Sequence, residues 1–465
     1  MKIDASPLFY LCLSIALYGF TAIAGDRPNM IVITVDELRW DGLGVTGHPF
    51  VETPHIDRLA REGMLFENAF VPTPLCGPSR ACLITGQYAH THGSYKNQAP
   101  KGHTKELKTY PMLFQQAGYK TAFIGKWTTG RNGDKTVHPG FDRWFCSGVN
   151  RDYKMDPIVN VDGEWIQYIG HATDIDSAEA AQFIREHRDE PFNISLWHRS
   201  VHTSYGDEHL LAAERNRDLY KGVPVPRAIS AQEPLIVQPA IKGFAQRPPT
   251  DEDIRNIARM TVDIDDGVGL IYETLEDLGI LDETVIIFSS DNGFFFGEHG
   301  LTEKRLAYEE AIKVPFIVRY PPLIEAGTTS DVSTLSIDVA PTLLEMASIP
   351  IPSELQGQSL VPAFQGGQLR QPRPSLLFEF WPEQDLPRRS CWWKAVRTDR
   401  WKFIHFYKEP FVDELYDLKA DTFEMNNLID SPEHQEIVVE MTQELASLME
   451  FYDDPGIDYR FFFDE

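Results

Sequence analysis

Residues 76–86 read Cys-Gly-Pro-Ser-Arg-Ala-Cys-Leu-Ile-Thr-Gly. Pro78 and Ser79 suit a helix start, so the spacing predicts a helix whose unpaired backbone N–H groups and positive dipole end face residue 76 and a bound anion. Arg80 adds a guanidinium that can grip two oxyanion oxygens. Two further pairs, Asp36-Glu37 and Asp291-Asn292, each follow an apolar run that reads as a buried strand. In α/β sheets ligands bind beyond the carboxyl ends of strands, so the pairs can converge at one end of a sheet. Two carboxylates about 4 Å apart repel by about 4 kcal/mol at an effective dielectric of ~20, a cost that a cation removes. Oxygen ligands favour calcium or magnesium over zinc or copper.

The elements that must position these residues are legible as strands and helices in alternation. Residues 30–35 are an apolar run ending on Asp36. Strand patterns also cover 121–124, 192–196, 284–288 and 315–318. From Ile254 the apolar positions Ile257, Met260, Ile264, Val268, Ile271, Leu275 and Leu278 step by three and four, and Gly279 is a natural stop. Such alternation implies an α/β fold, a large mixed and mostly parallel sheet with helices on both faces. A Gly- and Pro-rich stretch from 366 to 374 divides the chain. Beyond it short strands (375–380, 395–397, 402–406) and an amphipathic helix (433–451) predict a small α+β domain with an antiparallel sheet. The expected organisation is 1–24 signal peptide, 25–370 catalytic domain and 371–465 C-terminal subdomain.

Taken together and in order, these segments resemble the formylglycine-dependent type I sulfatases of the alkaline phosphatase-like superfamily, and among them the carbohydrate sulfatases. The resemblance implies that a maturation enzyme oxidises Cys76 to formylglycine. It implies calcium, with magnesium second, held by Asp36, Glu37, Cys76, Asp291 and Asn292. Glu37 stands where many members have Asp. Gly125-Lys126-Trp127 is similar to the segment whose lysine binds sulfate, but Thr128 occupies a position where the family has His, and Thr cannot shuttle protons near neutral pH. Trp197-His-Arg-Ser-Val-His202 is similar to the segment whose last His contacts the ester oxygen. Residues 297–310 resemble the block carrying the second sulfate-binding lysine, here Lys304. The implied catalytic set is thus Cys76, Arg80, Lys126, His202 and Lys304. His198, Arg199, Arg305 and Arg397 are expected to line the substrate pocket, with Trp392 and Trp393 as either a sugar platform or core. Arg305 has a second reading as the partner of Glu309 or Glu310.

The chemistry explains the modification. A hydrated aldehyde carries two hydroxyls on one carbon. One attacks sulfur, and deprotonation of the other expels sulfate without water attacking sulfur. The expected substrate is a sulfated carbohydrate or another sulfate ester. A phosphonate or phosphate ester hydrolase of the same fold and a non-catalytic sulfated-glycan binder remain as alternatives.

The 465-residue chain has a net charge of -26, which excludes nucleic acid as a partner because that affinity needs clustered Lys and Arg. The apolar run from Leu8 to Phe20, followed by Ala22-Ile-Ala24, is short for a membrane span and reads as an export signal. A periplasmic or secreted protein without stable membrane insertion is expected. After cleavage Cys76, Cys82, Cys146 and Cys391 remain. With Cys76 modified the rest are odd in number, so disulfides are not the framework.

Overall fold

The structure, a computed structural model, describes residues 27–97, 107–127, 136–147, 154–202, 212–232, 249–382, 391–407 and 410–456. The expected signal peptide and Thr128 lie outside the described residues. No helix among the described residues is long and apolar enough to cross a membrane.

The main sheet has ten strands: β1 (Asn29–Val35), β2 (Met64–Phe66), β3 (Lys120–Lys126), β4 (Arg143–Ser147), β5 (Ile158–Val161), β6 (Glu164–Gln167), β7 (Phe192–Trp197), β8 (Thr284–Ser290), β9 (Phe316–Arg319) and β10 (Thr328–Ser330). Their order is β10-β2-β9-β8-β1-β7-β3-β4-β5-β6. The central run β8-β1-β7-β3-β4 is parallel, and β9 and β5 flank it antiparallel. The sheet is therefore mixed and mostly parallel, as the alternation of elements implies.

Buried on both faces, β1 reads as a continuous apolar run rather than an alternating one. Ile31, Ile33 and Val35 point to one face, where α3 (Ala172–Glu186) and α4 (Asp251–Asp277) cover them with Phe183, Ile184, Ile264 and Ile271. Met30 and Val32 point to the other, toward Leu83 and Ile84 of α2 (Cys76–Thr85). A third helix on the outside, α1 (Pro54–Arg61), adds Ile56 and Leu59 to the first face. The α4 helix begins three residues before Ile254 because Thr250 caps it: the Thr250 hydroxyl accepts from the Asp253 amide at 3.2 Å, and the Asp253 carboxylate accepts from the Thr250 amide at 2.7 Å. Gly279 follows its end with φ +70°.

The second sheet holds β11 (Ser375–Phe380), β12 (Trp393–Thr398), β13 (Trp401–Phe406) and β14 (Glu414–Asp417), all antiparallel. Helix α5 (Gln435–Phe451) lends Met441 and Leu445 to its core. That core also takes in Phe70, Leu75, Cys82 and Tyr308 from the part of the chain that builds the main sheet, so one apolar layer joins the two sheets. The cysteines Cys76, Cys82, Cys146 and Cys391 are all free.

Register carries the site. Val35 pairs with Ser290 and Gly125 with Trp197, so Asp36, Asp291, Lys126 and His198 leave the sheet at its carboxyl edge. Gly125 has φ +110°, and a Cβ there would lie 2.0 Å from the Trp197 carbonyl oxygen. We therefore expect Gly125→Ala to destabilise the protein by more than about 1 kcal/mol, read as a lowered urea midpoint. A midpoint equal to that of the wild type would show that this strand pair does not need glycine.

Candidate active site

At the carboxyl edge of the sheet the chain buries three carboxylates and three cations together. Asp36, Glu37 and Asp291 are at most 2 % exposed, and so is Arg80; Lys126 and Lys304 are 7 % and 4 % exposed. Arg80 is the hub. Its Nε donates to Asp291 Oδ2 at 2.7 Å, one terminal nitrogen donates to the Lys126 carbonyl at 2.7 Å, and the other donates to the His198 carbonyl at 3.2 Å and lies 3.6 Å from Asp36 Oδ2. Lys126 pairs with Asp36 and Lys304 with Glu37.

The backbone is tied as tightly. The Glu37 amide donates to Asp291 Oδ1 at 3.1 Å, and the Leu38 amide donates to Ser290 Oγ at 2.9 Å. Glu37 itself sits at φ +66°, a cost tolerated because these bonds over-determine it.

Cys76 lies at the first turn of α2, not ahead of it. The helix starts two residues earlier than Pro78 suggests, with Leu75 as the extended cap. The Cys76 Sγ is 3.3 Å from Asp36 Oδ1. Asp36, Glu37, Cys76 and His202 each place a ligating atom within 4.8 Å of the others. Asp291 is not in that quartet, because its carboxylate is engaged by Arg80 and the Glu37 amide. The buried Asn292 Oδ1 has no hydrogen-bond partner. A buried amide oxygen without a hydrogen-bond partner, next in sequence to Asp291, together with the carboxylates of Asp36 and Glu37 is a donor set that fits a hard, oxygen-seeking cation.

The electrostatics follow from burial and neighbours. Burial acts to raise the Asp36 carboxyl, but Lys126 foremost, with Arg80 and Lys304, outweighs it and holds Asp36 well below the usual carboxylate range. Burial and the charge on Asp36 push Asp291 up to about 7 despite Arg80. Burial and the Asp36 charge likewise push the Cys76 thiol well above its ordinary value. As a thiol this residue is a poor nucleophile here. Burial and Lys126 depress His202 to about 3.

The remaining expected residues divide. His202 belongs to the site, with Nε2 3.4 Å from Glu37 Oε1. His198 is fully buried; its carbonyl serves Arg80, and burial with Arg80 nearby lowers its ring to about 3. Its side chain is therefore core rather than pocket lining. Arg199 is 7 % exposed and donates to the Ser147 carbonyl at 3.0 Å. Arg305 pairs with Glu303 at 2.7 Å, neither with Glu309 nor with Glu310. Arg397 departs from its expected clamp role because its guanidinium is held by Glu309 at 2.9 Å and covers the Phe70 ring. Trp392 and Trp393 are 2 % and 0 % exposed, so they are core and not a sugar platform. His138 packs against Trp127 and Trp144 in an aromatic cluster, which argues against its standing in for the histidine missing at Thr128.

The chain is similar to known proteins over most of its length. The family description Sulfatase matches residues 28–349, and N-sulphoglucosamine sulphohydrolase, C-terminal, matches 297–450. An N-acetylglucosamine-6-O-sulfatase of Bacteroides thetaiotaomicron is 31% identical over 93% of this chain and 88% of its own length. An ulvan-active sulfatase of Formosa agariphila is 28% identical over 91% of this chain and 82% of its own. A solved structure, described as in complex with its substrate D-glucosamine-2-N,6-O-disulfate, superposes with a TM-score of 0.84 at 28% identity, covering 93% of this chain and 100% of that one.

Breaking a buried ion pair leaves an uncompensated charge, at about 3–5 kcal/mol. Arg80→Gln should lower stability by that amount, measured by denaturant unfolding. A variant as stable as the wild type would remove Arg80 from its place as the hub.

Proposed function

The chain belongs to the sulfatase family, a sulfuric ester hydrolase by that membership, and we propose that it cleaves sulfate from a carbohydrate using a formylglycine made from Cys76 and a calcium ion beside it. The observation that carries this reading is the position of Cys76, at a helix start and 3.3 Å from Asp36, among carboxylates that three cations balance.

The bound cation would be held by Asp36, Glu37, Asp291, Asn292 and residue 76, and would supply a Lewis acid that lowers the pKa of a hydroxyl bound to it. Formylglycine would supply a nucleophilic hydroxyl that releases sulfate as the aldehyde re-forms. The protein's own residues do the rest. The α2 start and Arg80 favour negative charge at residue 76. Lys126 and Lys304 can each place an ammonium on a sulfate oxygen, the preorganised charge that usually contributes most in such catalysis.

The place of His202, with Nε2 3.4 Å from Glu37 Oε1, supports a role for it at the ester oxygen. Burial and Lys126 keep it neutral in the free site, and the negative charge of an arriving sulfate ester raises its proton affinity. His202 or Lys304 then protonates the leaving alcohol as the S–O bond breaks and the bonding pair moves to oxygen.

A sulfated sugar is favoured because relatives matched over most of the chain are named an N-acetylglucosamine-6-O-sulfatase and an ulvan-active sulfatase. Export, read from the apolar run 8–20 and the Ala22-Ile-Ala24 site, and a formylglycine-generating partner that oxidises Cys76 complete the proposal.

Two outcomes are expected. Cys76→Ala should abolish sulfate release from a panel of sugar monosulfates headed by N-acetylglucosamine 6-sulfate, while leaving thermal unfolding unchanged; substantial turnover by the variant would contradict the mechanism. Chelation should remove activity reversibly. Calcium added at a hundredfold excess over its dissociation constant should then raise stability by about 2.7 kcal/mol; an enzyme indifferent to chelation would contradict the metal assignment.

A further inference from the structure

One buried cation near the site takes no part in the chemistry above. Lys154 is 9 % exposed. Its carbonyl accepts from the Ala172 amide at 2.8 Å, which fixes it to the start of α3. Its ammonium donates to the His202 carbonyl at 2.9 Å and lies 3.2 Å from Met260 Sδ on α4. Among the described residues it makes no ion pair. An ammonium has three donors, and a thioether is a weak acceptor. Burying such a group costs several kcal/mol unless something compensates. Burial lowers its pKa to about 7 against the pull of Asp36, with Arg199 and Lys126 also lowering it and Asp263 raising it.

The bond to the His202 carbonyl is what the position provides. The segment from 198 to 202 is pinned by a ladder to the β1 end: His198 N to Thr34 O at 2.8 Å, Asp36 N to Ser200 O at 3.1 Å and Val201 N to Asp36 O at 2.9 Å. At His202 the ladder stops. Its amide donates to the Arg199 carbonyl at 3.1 Å, and its own carbonyl is taken by Lys154. The side chain of His202 is less enclosed than its neighbours, at 27 % exposed.

We propose that Lys154 is a positioning residue for the sulfatase reaction, clamping the His202 carbonyl so that the imidazole stays aimed at the leaving oxygen of the ester. The inference rests on the functional reading above. When the S–O bond breaks, the bonding pair goes to the leaving oxygen and His202 donates a proton to it. A nitrophenolate leaves readily without that proton, whereas a sugar alkoxide does not. A misplaced His202 therefore slows the second far more than the first.

The test uses the full chain and compares kcat on 4-nitrophenyl sulfate with kcat on the sugar sulfate that the wild type turns over fastest in the panel above. Lys154→Met should lower kcat on the sugar sulfate by about 10- to 100-fold, the usual effect of losing a residue that orients a functional group. It should leave KM within about twofold and lower kcat on 4-nitrophenyl sulfate by less than about threefold. The ratio of the two rates in one sample does not depend on how much of the variant folds. Lys154→Arg, which keeps a donor, should restore most of the ratio. In a His202→Ala background Lys154→Met should add little, because the two act as one unit. Equal losses on both substrates, or additive losses in the double variant, would overturn the clamp. A wild type inert toward every sulfate ester would overturn the functional reading and the clamp with it.

Discussion

The contact between Arg80 and Asp291 is the interaction on which the rest of the site depends. It joins the start of α2 to the end of β8 with a fully buried guanidinium, whose other nitrogens hold the Lys126 and His198 carbonyls. Three separate strand ends are thereby fixed around one point, and Asp36 at the end of β1 lies 3.6 Å from the same guanidinium. Asp36, Glu37 and Asp291 could not be buried side by side without cations, and Arg80, Lys126 and Lys304 could not be buried without carboxylates. Each set explains the other, and the two ammonium groups, Lys126 and Lys304, are held against Asp36 and Glu37.

The second sheet serves the same point from a distance. Lys304 lies on an irregular stretch that has no helix or long strand to stiffen it. Trp393 donates to the Arg305 carbonyl at 2.8 Å, Lys402 to the Ala307 carbonyl at 2.9 Å, and Tyr308 to Glu414 at 3.1 Å. Arg397 and Lys402 both hold Glu309. The C-terminal sheet thus acts as the rigid backing of the loop that carries Lys304. This is why its tryptophans and arginine are buried rather than offered to a ligand.

The central strands and the long α4 helix were legible in the sequence because burial on two faces demands apolar runs and burial on one face demands steps of three and four. Asp36 and Asp291 were legible as carboxylates delivered at strand ends; Arg80 was expected to grip oxyanion oxygens, but its guanidinium is fully buried and spent on Asp291 and two backbone carbonyls. Arg397 was not legible either, because an arginine in a joint and an arginine in a pocket look alike until their partners are known; here Glu309 decides. The α2 start was misplaced because Pro78 fits the third helical position as well as the first, and Leu75 offers no capping side chain. Lys154 was invisible, since it serves a backbone carbonyl that any residue at 202 would supply.

The account turns on the chemical state of residue 76. The direct measurement is the mass of the peptide containing that residue, taken from protein produced with and without a formylglycine-generating enzyme, alongside its sulfate-releasing activity. The account predicts an aldehyde at residue 76 in the active preparation, with activity rising in proportion to its fraction. Full activity in protein whose residue 76 is entirely an unmodified thiol would contradict it.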